Sequence, residues 1–147
     1  MKISHAMVIM FIGSCIVQYY LMPSIMVSNK MDITNNVGKG YMAVIMGLFM
    51  VLIEIMMHDH QYKVLSTHLY VLLMSCLILF IYLYRTQTAI NDKQYLEGMI
   101  EHHSMGIFTS EAILKKTDNY DIAKLSKNII QIQADEISVM RELIHKM

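Results

Sequence analysis

Three long apolar runs constrain this chain more than anything else in it: His5 to Val27, Tyr41 to Met57 and Val64 to Tyr84. A helix of about 23 residues spans roughly 34 Å, enough to cross a hydrocarbon core of about 30 Å. Inside such a core a backbone finds no water to bond, so it must satisfy itself as helix. The second run, of about 17 residues, sits at the short limit for crossing. Lys2 precedes the first run, as in a secretory leader. That run is too long for a leader's apolar region and no small-x-small cleavage site follows, so it is read as a retained span. Pro23 is expected to kink or cap its far end. Residues 1–87 are thus a membrane region with spans at about 5–27, 41–57 and 64–84, and 88–147 a separate domain.

Charge divides along the same line. Residues 1–87 carry five Lys/Arg and three Asp/Glu, and residues 88–147 carry seven and nine. Net charge is zero, so no basic field argues for nucleic acid. Cys15 and Cys76 fall inside apolar runs without C-x-x-C spacing, which reads as inert thiols. Ser28 to Gly40 reads as a polar loop. Met42, Met46 and Met50 recur at four-residue steps toward Glu54, a stripe that reads first as helix packing. His58-Asp-His60 offers two imidazoles, too few for a metal site alone, and reads as a hydrated interfacial loop. Three spans put the termini on opposite sides of the bilayer. Lys30, Lys39, Arg85 and Lys93 flank one side against Lys2 and Lys63 on the other, a bias toward a cytoplasmic C-terminal domain.

From Asn91 to Lys116 apolar residues recur at three and four, as in a helix. Thr117-Asp118-Asn119 breaks the pattern, with Asp118 the expected cap of a second helix bearing Ile122, Leu125, Ile129, Ile132, Glu136/Ile137, Met140 and Leu143/Ile144 on one face. So short a turn predicts antiparallel packing. Reversal near 118–119 places side by side positions whose numbers sum to about 237. Met99, His103, Glu136 and Met140 then converge, with His102 and Gln133 on the flank. Thioether plus imidazole suits Cu(I), or Cu(II) when the carboxylate joins, better than Mg²⁺ or Ca²⁺. The competing reading is a hairpin core with Met filler and a hydrogen-bonded His–Glu pair. Two helices bury little apolar surface, so the hairpin is expected to dimerise, or form a higher homo-oligomer, as a four-helix bundle.

Gly98-Met-Ile-Glu-His-His-Ser104, Ile107-Phe-Thr-Ser-Glu-Ala112 and Leu125 through Met140 together resemble the bacterial family called domain of unknown function 305. Its pattern is Met-Ile-x-His-His followed by Ile-x-x-Gln-x-x-Glu-Ile-x-x-Met. Met99, His102, His103, Gln133, Glu136 and Met140 all match it, over about 50 residues. The three-span front end looks like a subgroup that joins such spans to this hairpin. The resemblance implies a ferritin-like fold, copper binding in the bacterial envelope, copper-handling partners, and a C-terminal domain on the periplasmic or outer face of the inner membrane, against the charge bias. Glu101 stands where the family pattern has Pro, and Thr109 where many members carry a further Met.

The expectation is therefore an all-α, multi-pass membrane protein that binds copper through a His/Met cluster. The alternative is an assembly or partner-docking module whose cluster is only core. An oxidase would need Glu-x-x-His on two facing helices. Only Glu142-Leu-Ile-His145 has that spacing, so no enzymatic activity is expected.

Overall fold

The computed structural model describes residues 3–147, which are helical apart from short connections. They form two compact units. One comprises the residues up to Leu21 with Val37–Ala89, and the other Met22–Asn36 with Ile90–Met147.

The first unit holds α1 (Ile3–Ile16), α3 (Val37–Tyr62) and α4 (Thr67–Arg85). The stretches Ile3–Met26, Val37–Tyr62 and Thr67–Arg85 are 24, 26 and 19 residues long and apolar enough to cross a membrane. The second of these exceeds the sequence expectation, because the helix takes in polar residues at both ends, from Val37 through Tyr62. Its backbone bonds do not depend on those side chains being apolar. The first helix passes through a π turn, Val17–Leu21, just before Pro23. Proline has no N–H to give Tyr19 and its ring crowds that carbonyl, and a widened turn relieves both.

Helix α3 is the centre of this unit, packed by α1 and α4. Ala43, Gly47, Val51, Ile55 and Asp59 are buried along it at four-residue steps. The Met stripe lies one position to the side: Met46 is exposed, and Met42, Met50 and Glu54 are half-buried. Small residues let the backbones of α1 and α3 approach. A Cβ at Gly47 would lie 2.8 Å from the Phe11 ring and 3.0 Å from Cys15 Sγ. The Cys15 thiol reaches the Ala43 carbonyl at 3.4 Å, and both cysteines are free.

His58-Asp-His60 is not a loop. Helix α3 continues through it, and the buried Asp59 carboxylate accepts from Ser66 N–H at 2.6 Å and Ser66 Oγ at 2.8 Å. Asp59 thereby ties the end of α3 to the start of α4. Lys63 reverses the chain with φ 52°, and Val64 N–H returns to the Asp59 carbonyl at 3.2 Å. That is a Schellman closure with lysine in the position glycine usually takes.

The second unit contains α2 (Met22–Met26), the connection to Asn36, α5 (Asp92–Leu114) and α6 (Tyr120–Lys146). Asn91 caps α5 through Gln94 N–H at 2.9 Å. Asn119, not Asp118, caps α6, accepting from Asp121 N–H at 2.9 Å and Ile122 N–H at 3.2 Å. Either residue type suits the position, and the turn runs one residue further than the sequence suggested. The core of the unit is Leu96, Ile100, Ile107, Ile137 and Met140, with Met99, Ile130 and Ile144 against it.

Replacing Gly47 by Leu should force α1 away from α3. The expected cost is about 1–3 kcal/mol, read as a lower thermal midpoint in detergent, and Phe11→Ala in the same chain should recover much of it.

Candidate functional site

Helices α5 and α6 run antiparallel, with His103 meeting Glu136 and Gly106 meeting Gln133. Paired positions therefore sum to 239 where spacing suggested about 237. That two-residue difference decides which donors meet.

The His103 ring is held at both nitrogens. Nδ1 lies 2.8 Å from the Met99 carbonyl oxygen, which can only accept, so Nδ1 carries the hydrogen. Nε2 lies 2.8 Å from Glu136 Oε2. A proton must sit between them, donated by an imidazolium or by a carboxyl group. Only 12% of the His103 side chain is exposed, against 54% for Glu136, so the ring is the fixed partner and the carboxylate the movable one.

The other predicted residues lie around this pair. His102 is exposed, its ring centroid 6.1 Å from that of His103. Gln133 packs on the glycine face of α5, where a Cβ at Gly106 would collide with its Oε1. That oxygen is buried without a hydrogen-bond partner. Met140 is buried in the apolar core and Met99 packs against it. The structure thus brings His103 and Glu136 together, sets His102 and Gln133 beside them, and places both thioethers in the core. Among the described residues, no group of three or more His, Cys, Asp or Glu side chains is placed to hold a metal ion.

The back of α5 holds what sequence reasoning missed. The connection read as a loop is a strap tied to both helices. Ser28 N–H reaches Ser104 Oγ at 3.1 Å, and Ser28 Oγ donates to Glu111 at 3.1 Å. Thr34 N–H donates to Glu101 Oε2 at 2.9 Å, and Thr34 Oγ1 donates to the Glu97 carbonyl at 2.9 Å. Buried Asp32 pairs with Arg141 of α6. Glu101 was the available signal: a carboxylate on the inner side of an amphipathic helix must find donors.

Residues 81–144 match the family described as "Domain of unknown function (DUF305)". The chain is also 33% identical over 143 residues to a protein named "Uncharacterized protein L153" of Acanthamoeba polyphaga mimivirus, covering 96% of this chain and 93% of the other. No solved structure matches.

Two outcomes are expected from this geometry. In a double-mutant cycle, His103→Gln and Glu136→Gln should couple by about 1 kcal/mol, small because the carboxylate is half in water. Glu101→Leu should cost about 1–3 kcal/mol by removing the acceptor of the Thr34 N–H, and should speed amide exchange across residues 28–36 in mass-spectrometric measurements.

Proposed function

The chain belongs to the domain of unknown function 305 family, and from that premise we propose that it is a membrane-anchored metal-binding protein. Its metal is copper and its role storage, buffering or handover rather than catalysis. The observation that carries this reading is the fixed His103 ring. A metal-binding imidazole commonly donates its far N–H to a carbonyl or carboxylate, which sets the tautomer and the direction of the near lone pair. The Nδ1 contact to the Met99 carbonyl is of that kind, and it turns Nε2 toward an exposed carboxylate.

The donor types present suit such a group, and two of them, His103 and Glu136, already meet. His103 Nε2 and the Glu136 carboxylate would hold it, with His102 and the unpartnered Gln133 Oε1 as the nearby donors that would complete the set. Met99 is flexible and adjacent, and could add a thioether by turning out of the core. Imidazole with carboxylate suits Cu(II), and imidazole with thioether suits Cu(I). When bound, the metal would take the place of the proton shared by His103 and Glu136, so uptake should release protons and weaken at low pH.

The three spans provide the anchor. In a bacterial cell the bilayer would be the inner membrane, with a ferritin-like hairpin on the periplasmic or outer side and copper-handling proteins as partners. Similarity to the mimivirus protein runs over 96% of this chain, which supports treating spans and hairpin as one functional unit in whichever membrane holds it.

The test is elemental analysis of the full chain in mild detergent after loading with Cu(I), Cu(II) or Zn(II), beside the His102→Gln/His103→Gln variant. About one copper per chain, lost in the variant while helical content is kept, is the expected result. Copper in neither form would remove the metal reading and leave a membrane assembly module.

A further inference from the structure

The strap covers one side of the α5–α6 hairpin, and the other side is open. Along α6 the open side is a strict three-four repeat: Ile122, Leu125, Ile129, Ile132, Glu136, Val139 and Leu143. Ile122, Leu125, Ile132, Val139 and Leu143 leave 44%, 61%, 56%, 56% and 44% of their surface exposed. The neighbouring stripe on this helix, Ile130, Ile137, Met140 and Ile144, packs in the core. On α5 a matching repeat, Tyr95, Met99, His102, Gly106, Thr109 and Ile113, runs along the same side, with Tyr95 and Ile113 53% and 41% exposed.

We propose that this face is the interface with a second copy of the chain, which completes a four-helix bundle and encloses the His103–Glu136 pair of each copy. Three arguments select this occupant. A repeat of 3.5 residues sustained over three heptads is the pattern that packs against another helix seam. Its exposed apolar residues, each 41–61% open, run along both helices, an extent suited to the roughly 800 Å² that each partner buries in a standard interface. The α6 seam carries one charged group, Glu136, and it is already hydrogen-bonded to His103, so closing the face strands no unpaired ion. A lipid surface fits less well. The stripe is narrow, and a carboxylate at its centre would have to enter the headgroup boundary. The proposal does not depend on metal binding.

The full chain in detergent should scatter light as twice its 17.0 kDa mass. Ile132→Lys and Leu143→Lys should give monomers that keep their helical circular dichroism, while Ser138→Lys, outside the seam, should remain dimeric. Glu136→Leu alone strands the enclosed His103 Nε2, so its dimer should weaken, and the double change His103→Leu/Glu136→Leu, which removes both partners, should restore pairing. A monomeric wild type would overturn the proposal. So would a dimer that survives both seam lysines, since the spans would then hold it.

Discussion

The approach of α5 to α6 at Gly106 sets nearly everything else in the second unit. A side chain at that position would occupy the space taken by the Gln133 amide, so the helices could not keep this spacing and register together. One turn away the same register brings His103 to Glu136 at 2.8 Å. It also turns Ile137 and Met140 into the core. A shift of two residues along α6 would rotate its surface by about 160° and exchange the buried stripe for the exposed one. Site, core and open face are three consequences of one alignment.

The strap shows how a polar connection can be as ordered as a helix. Burying Asp32 and Glu101 is costly unless donors meet them. Asp32 has Arg141, and Glu101 has the Thr34 N–H. The segment therefore supplies the donors that allow α5 to keep an acid on its inner side. It also closes one flank of the hairpin.

Much of this was legible in the sequence, and the failures have physical causes. The three helices apolar enough to cross a membrane followed from hydropathy. Their ends did not, since Val37–Gly40 and His58–Tyr62 are helical through backbone bonds that hydropathy does not weigh. His103 with Glu136 was readable from spacing, and Met99 and Met140 were placed at the right level of the hairpin. Spacing does not give side-chain direction, however, and both thioethers turn inward to the core. The strap was invisible because Ser, Thr and Asn look alike whether they bond water or a buried carboxylate. Asp118 and Asn119 are near-equal caps, so only the turn could choose between them.

Glu136 joins the two proposals. Apolar residues in place of both Glu136 and His103 would complete the seam and strengthen any helix pairing across it, yet the chain carries a carboxylate with an imidazole held to receive it. A polar group in an otherwise apolar seam costs stability and is best explained when it fixes a register or serves a second purpose. The His103 ring supplies that purpose, since its Met99 anchor aims Nε2 at this one carboxylate. Binding at the pair and closure of the face would then draw on the same residue. A cation held more tightly in the closed bundle than in the single chain would favour pairing by the same factor that pairing favours the cation.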